Sequence, residues 1–541
     1  MVVQRLFFCS LLILFSSCSP APPLKPNIVV FLTDDQDLIL GSFSNLPKTQ
    51  ELLVNQGVTF ENAFVSTPVC CPSRSTILTG RYLHNIGVTN NSADGNCSST
   101  WWQNGPVRVH TYATFVDKAG YETLYMGKYL NMYGYPGQGG LQHVPPGKAR
   151  DVHAFLGWDQ WYALQGNSIY YNYLISNNGV AETHGDDYAV DYLPDVLLRR
   201  GLAFLQNLTY SRSASPLRDS SQVFSSQTTS WTEEEQGITA GAPPFMMILA
   251  TPSCHASFEA APQYSGKFYV NSPRVPSWNR TSPDKHHLLR KQVPLTEAVA
   301  AESDQVYRRR LDVLLSVDDI VEQVIDAVTA MGPTVLANTY FLFTSDHGFH
   351  LGEYSMSFDK RLPYETDLRV PFVIRGPGFP AGTVRSEIVT SVDIAPTLVD
   401  WATGSTGKIP SLFDGRSIQS LMFPPASPEE LLVSASWRTD FLVEYFGEDD
   451  PTAVGQYICG SGVDGITGTL CDEWNNTYAC LRSMSGSLSS NALEKEGAEG
   501  GLPTDFLFCQ FTCFDDGRNV VSCPPSLPEG TGEYFDITRD R

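Results

Sequence analysis

Four short apolar runs end abruptly in polar residues, and this pattern constrains the fold more than any other feature of the chain. Residues 27–32 (NIVVFL) open into Thr33-Asp34-Asp35-Gln36-Asp37. Residues 121–126 lead to Gly127-Lys128, and residues 244–250 (PFMMILA) lead to Thr251-Pro252-Ser253-Cys254-His255. Residues 340–343 lead to Thr344-Ser345-Asp346-His347-Gly348. Apolar runs of this length, without polar alternation, predict strands buried on both faces, as in parallel sheets. Helical patterns lie between them. The clearest covers residues 306–331, with Leu311, Leu314, Leu315, Val321, Val324, Ile325 and Val328 at helical spacing and Gly332-Pro333 as the stop. Strands alternating with helices predict a layered α/β domain. In such open sheets ligands bind at the carboxyl ends of the strands, where the polar residues here are concentrated.

The rest of the chain sets the context. Residues 1–20 carry one early positive charge and an apolar stretch over 6–18, which predicts a secretory signal peptide cleaved near Cys18 to Ala21. No later run is long enough to span a membrane. Sequons begin at Asn90, Asn96, Asn207, Asn279 and Asn475, and together with a signal peptide they predict a glycoprotein. Of the 12 cysteines, Cys459, Cys471, Cys480, Cys509, Cys513 and Cys523 crowd the C-terminal part, where most disulfides are expected. Residues 211–237 are a Ser/Thr-rich insertion, and 483–501 are similar in composition. The organisation expected is a large catalytic domain over 25–415 and a smaller Cys-rich subdomain over 416–541. The net charge of −22 excludes a general nucleic-acid binder, which needs a basic surface. It leaves room for an anionic substrate held in one small basic pocket.

The most specific string is Cys70-Cys71-Pro72-Ser73-Arg74-Ser75-Thr76-Ile77-Leu78-Thr79-Gly80-Arg81. From the residues alone it is a loop entering a helix, with Pro72 early and Ser73 as a cap. A cysteine there, beside Arg74, would be reactive; alternatively Cys70 and Cys71 are structural half-cystines. The whole string matches the signature C-x-P-S-R-x-x-x-L-T-G-R and so resembles the formylglycine-dependent sulfatases. KPNIVVFLTDDQD from Lys25, GNCSS from Gly95, GKYLN from Gly127, YYNY from Tyr170, SVDD from Ser316, TSDHGFHLGE from Thr344 and WRTDFLVEYFGE from Trp437 extend the resemblance, most closely to the N-acetylglucosamine-6-sulfatase branch. The extracellular heparan 6-O-sulfatases are also similar, but they carry a long basic insertion that this sequence lacks.

The resemblance implies an alkaline phosphatase/sulfatase-like α/β fold, a large central mixed sheet between helices with a smaller C-terminal α+β subdomain. It implies that Cys70 is converted to Cα-formylglycine by a formylglycine-generating enzyme. One hydroxyl of the hydrated aldehyde attacks sulfur and the second expels sulfate. It implies one Ca²⁺ held by Asp34, Asp35, Cys70, Asp346 and His347, hard carboxylates being suited to that ion. Imidazole is a less natural partner for Ca²⁺, so two readings of His347 stand, as a ligand and as a neighbour of the sulfate. Arg74, Lys128 and Lys360 match cationic positions that neutralise the sulfuryl group, and His255 matches the residue serving the leaving oxygen. His350 is expected to be structural. The implied substrate is a sulfated glycosaminoglycan or oligosaccharide, with loss of 6-O-sulfate from N-acetylglucosamine in a lysosome, or outside the cell as the alternative. A homodimer is left open. Three departures from the family stand out: Leu130 where many relatives have histidine; Cys254 where the branch has proline, with an odd number of cysteines once Cys70 is converted; and Glu533-Tyr534-Phe535-Asp536, which resembles a late family motif beyond which relatives continue further than this sequence. Rival readings are another sulfated glycan or aryl sulfate as substrate, a phosphatase of the same superfold, and a glycan-binding pseudoenzyme.

Overall fold

The computed structural model describes residues 24–99, 102–103, 110–138, 140–142, 157–213, 243–283, 285–290, 292–404, 409–422, 437–447, 476–484, 505–511 and 532–536. The signal peptide, nearly all of both Ser-rich segments, and Cys459, Cys471, Cys513 and Cys523 lie outside these residues. In chain order the elements that build the site are β1 (Asn27–Thr33), β2 (Val58–Phe60), α1 (Cys70–Thr79), α2 (Tyr112–Lys118), β3 (Glu122–Lys128), β4 (Gln160–Leu164), β5 (Leu174–Asn177) and β6 (Val180–Thr183). They continue with α3 (Leu193–Ser213), β7 (Phe245–Ala250), α4 (Glu297–Ala330), β8 (Thr339–Ser345), β9 (Phe372–Arg375), β10 (Thr383–Arg385) and α5 (Ile394–Thr403).

These strands form one ten-stranded sheet in the order β10-β2-β9-β8-β1-β7-β3-β4-β5-β6. Its centre, β8-β1-β7-β3-β4, is wholly parallel. Antiparallel pairings of β9 and β5 flank it, so the sheet is mixed. Alternation of side chains across the strands separates two apolar layers. Ile28, Val30 and Leu32 pack with Ile77, Val116 and Leu398 of α1, α2 and α5. Val29 and Phe31 pack with Leu197 and Phe204 of α3 and with Leu314, Val321 and Ile325 of α4. The central strands β1, β7 and β8 are therefore apolar on both faces, the physical reason their sequences show no polar alternation.

Two local expectations are corrected. Helix α4 begins at Glu297, not near residue 306. Its cap is Thr296, whose hydroxyl accepts the Val299 N–H, and the alanine- and glutamate-rich segment that follows favours helix. Ser73 caps nothing: the N-cap of α1 is Val69, and Ser73 Oγ donates instead to the carbonyl of Asp346. Pro72 sits in the first turn, where its missing N–H breaks no bond.

Residues 409–422 add Phe413, Ile418 and Leu421 to the layer that holds α1. Beyond them lie β11 (Asp440–Tyr445), β12 (Tyr478–Met484), β13 (Asp505–Phe511) and β14 (Gly532–Asp536), a four-stranded antiparallel sheet. Cys480 and Cys509, register partners on β12 and β13, form a disulfide. The sheet packs Phe441, Val443, Tyr445 and Tyr478 against Tyr354, Met356 and Leu362. Asn476 Nδ2 and Tyr478 Oη donate to the carbonyl of Arg361 at 3.2 and 3.0 Å. The smaller sheet thus supports the loop that carries Lys360. No described helix is long and apolar enough to cross a membrane.

Candidate active site

Strand register brings the polar residues together. Leu32 pairs with both Ala250 and Thr344, and Gly127 pairs with Ala250, so β1, β7, β8 and β3 end at one level. Gly127 has φ of 97°, and a Cβ there would lie 1.9 Å from the Ala250 carbonyl oxygen. Only glycine permits this close crossing just before Lys128. Asp35 adopts φ of 63°, a left-handed turn that brings two consecutive carboxylates toward one centre.

The centre is a tight, fully buried cluster. One ligand-type atom each from Asp34, Asp35, Cys70 and His347 lies within 4.8 Å of the others. Asp34 Oδ2 accepts from Lys128 Nζ at 2.6 Å and from Ser168 Oγ, while Asp34 Oδ1 faces Cys70 Sγ at 3.8 Å. Lys360 Nζ donates to both oxygens of Asp35, at 2.8 and 3.0 Å. His347 Nε2 lies 3.3 Å from Cys70 Sγ and 3.4 Å from Asp35 Oδ1. His347 Nδ1 is 2.9 Å from the Gly348 carbonyl, which assigns a proton to Nδ1 and turns Nε2 to the centre.

Asp346 stands at the margin. Its Oδ2 accepts from Arg74 Nε at 2.8 Å, and its Oδ1 accepts the N–H groups of Asp35 and His347 at 3.1 and 3.0 Å. Arg74 Nη1 donates to the Lys128 carbonyl at 2.9 Å. Arg74 Nη2 has no hydrogen-bond partner among the described residues and lies 3.7 Å from Asp34 Oδ1. His255, at the rim, is partly exposed, with Nδ1 2.7 Å from the Ala256 carbonyl. His350 is buried against Asp367 at 2.9 Å, away from the four-residue cluster, as its structural reading expects.

Charge balance sets the protonation states. Burial pushes the Cys70 thiol up, but Lys128 and Lys360 outweigh it and hold the group well below the usual thiol range. Burial likewise pushes Asp34 up, and Lys128, His255 and Arg74 reverse that, so its carboxyl stays low. Asp346 has less relief: burial, with Arg74 only partly opposing, raises it to about 6. Burial disfavours the His347 imidazolium, but Asp346 and Cys70 overcome this and raise it to about 9.

All of the predicted site residues therefore converge on one sheet edge, with His255 at the opening and Asp346 held beside rather than inside the tightest set. The sequence reading missed Ser168, Asn167 and Arg310, and it gave Ser73 a capping role in place of its bond to Asp346. Asn167 and Ser168 are separated by Ile169 from the Tyr170-Tyr171-Asn172-Tyr173 string, whose nearness is the one signal that could have drawn attention to them. Arg310, inside α4, donates to the Asp35 carbonyl and to Asp37 Oδ1, both at 2.7 Å.

Comparison with known proteins gives the family. The sulfatase profile matches residues 26–405, and that of the N-sulphoglucosamine sulphohydrolase C-terminal region matches 352–459. The chain is 39% identical over 472 residues to the N-acetylglucosamine-6-sulfatase of Homo sapiens, covering 85% of this chain and 75% of that protein. It is 38% identical over 426 residues to an extracellular sulfatase homologue of Drosophila melanogaster, covering 78% of this chain and 33% of the relative. A structure solved in complex with its substrate D-glucosamine-2-N,6-O-disulfate aligns with a TM-score of 0.59 at 20% identity, covering 96% of this chain and 92% of the other. The family implies a metal ion and a formylglycine, and the buried Asp34, Asp35, Cys70 and His347 could hold such an ion. With the profile spanning more than half of the sequence and the cysteine of the signature at the heart of the buried cluster, the chain belongs to the sulfatase family, enzymes that hydrolyse sulfate esters.

Proposed function

We propose that this sulfatase removes the 6-O-sulfate of N-acetylglucosamine 6-sulfate at the ends of heparan or keratan sulfate chains. The observation that carries this reading is the 39% identity to N-acetylglucosamine-6-sulfatases across 85% of the chain. The metal is proposed to be Ca²⁺. The donor set supports a hard cation: carboxylate oxygens of Asp34 and Asp35 meet in one buried cluster, and such oxygens suit hard ions. A thiol sulfur suits Ca²⁺ poorly, whereas a formylglycine at Cys70 offers oxygen. Asp34, Asp35, Cys70 and His347 would hold the ion, with Asp346 Oδ1, 3.7 Å from His347 Nε2, beside them. As an imidazolium His347 has no lone pair to offer, so cation uptake there would release its Nε2 proton. When bound, the ion and the hydrated formylglycine supply a nucleophile active near neutral or acid pH.

The remaining roles follow from the side chains in place. Lys128 and Lys360 put two fixed ammonium groups next to Cys70, where charge develops on a sulfuryl group in transfer. Arg74 holds Asp346 and directs Nη2 at the same centre. His255 at the opening would serve the leaving sugar oxygen. The chain's acidic surface gives no long-range attraction for a polyanion, which favours action on chain ends over gripping a polymer. The N-terminal stretch and the sequons support maturation in the secretory pathway, with a lysosomal destination proposed and secretion as the alternative.

Two measurements test the reading. Mass spectrometry of the Cys70 peptide, from protein made in a secretory host, should show the aldehyde. Assays should show higher kcat/KM on N-acetylglucosamine 6-sulfate than on a generic aryl sulfate. An unmodified thiol throughout would leave a glycan-binding pseudoenzyme, and preference for the aryl ester would overturn the substrate.

A further inference from the structure

One loop reaches over the strand ends and touches both sides of the cluster. It leaves β4 after Leu164 and re-enters the sheet at Leu174. Within it, Ser168 Oγ donates to Asp34 Oδ2, the oxygen that also accepts from Lys128 Nζ at 2.6 Å. Two donors on one carboxylate oxygen fix the plane of the group and leave Oδ1 facing Cys70 Sγ. The loop itself is anchored. Asn167 Oδ1 accepts the Ser168 N–H at 2.8 Å, which turns Asn167 Nδ2 toward His255 Nε2 at 3.5 Å. Tyr170, fully buried, donates from Oη to the carbonyls of Pro252 and His255 at 3.2 and 3.0 Å. The end of β3 cannot do this work beyond Lys128, because Leu130 is buried in the apolar layer.

We propose that Ser168 is a positioning residue for the cation site: its hydroxyl, with Lys128, sets which oxygen of Asp34 meets the metal. This rests on Asp34 being a ligand, as in the function proposed above. Hydrogen-bond partners behind a metal ligand fix its orientation, and losing one weakens metal affinity about 10- to 100-fold.

The test uses the mature, full-length protein, stripped with a chelator and titrated with Ca²⁺ by calorimetry. Ser168→Ala is expected to raise the Kd for Ca²⁺ by about 10- to 100-fold. Ser168→Thr, which keeps the hydroxyl, should bind Ca²⁺ as the unaltered chain does. In chelator the thermal midpoint of Ser168→Ala should equal that of the unaltered chain, whereas a purely structural role would lower it. A Ca²⁺ Kd for Ser168→Ala within about twofold of the unaltered chain overturns the proposal, since that lies below the expected range. So does a threonine variant as weak as the alanine variant, or an unaltered chain that takes up no Ca²⁺. Failure of the sulfatase reading would look different: no hydrolysis of any sulfate ester, whatever the Ca²⁺ affinities.

Discussion

Cys70 and Cys254 are free thiols, both buried, at the same sheet edge: Cys70 opens α1 and Cys254 follows β7. Cys70 Sγ lies 3.8 Å from the carboxylate of Asp34, and Cys254 Sγ lies 3.8 Å from the carbonyl of Asp35. Burial pushes both groups toward the neutral thiol. At Cys70 two lysines reverse that push. At Cys254 burial prevails, with Arg310 too little to offset it, and the group is held far above the usual thiol range. The guanidinium of Arg310 is already committed to Asp37 and to the Asp35 carbonyl. Reactivity at this edge is therefore decided by where fixed cations stand, not by depth in the protein.

The comparison can be tested by altering each side of it. Cys70→Ala should abolish turnover while circular dichroism stays that of the parent; comparable turnover would refute the nucleophile assignment. Next, Lys128→Met should lower kcat by about 10²–10³-fold by removing a fixed charge from the developing transition state. Steady-state kinetics with a normal kcat would show that Lys360 alone suffices.

A third buried group, Glu353, extends the logic to a carboxyl where burial prevails. Burial raises Glu353 to about 7, opposed by the Leu351 N–H and His350. Its folded pKa exceeds the unfolded value, so the native state binds more protons between about pH 4.5 and 7, and this group's contribution to stability falls as pH rises through that window. Glu353→Gln should therefore be stabilised relative to its parent more at pH 7.5 than at pH 5, by up to about 3 kcal/mol. Thermal midpoints at the two pH values check this; a difference between the two proteins that does not change with pH would rule it out. The smallest effect belongs to Cys254→Ala, expected to leave kcat unchanged and to shift stability by about 1 kcal/mol. A large loss of kcat there would end the contrast with Cys70.

Much of this architecture is legible in the chain. The apolar runs at Asn27, Phe245 and Thr339 show as strands because both faces are covered by helices, leaving no polar alternation to confuse the reading. Cys70, Arg74, Asp34 and Asp35 stand in contiguous motifs whose residue types match their chemistry. Lys360 is less readable: an isolated lysine in a loop is usually solvated, and only the packing of the C-terminal sheet against that loop buries it on Asp35. Ser168 is less readable still, since a serine in a loop gives no periodic signal and only the nearby Tyr170-Tyr171-Asn172-Tyr173 string marks its place. Ser73 misleads, because cap preference is a local rule and here the hydroxyl has a distant carbonyl as its partner.

By itself, the sequence determined the class of fold, the signature cysteine and the residue types at each strand end. These are properties of short segments, set by burial pattern and side-chain chemistry. Which oxygen of Asp34 faces Cys70, which carboxylates meet which lysines, and why one buried thiol is activated and the other is not were decided only by tertiary structure. Electrostatic effects inside a protein depend on distances of a few ångströms between residues far apart in the chain, and strand register sets those distances.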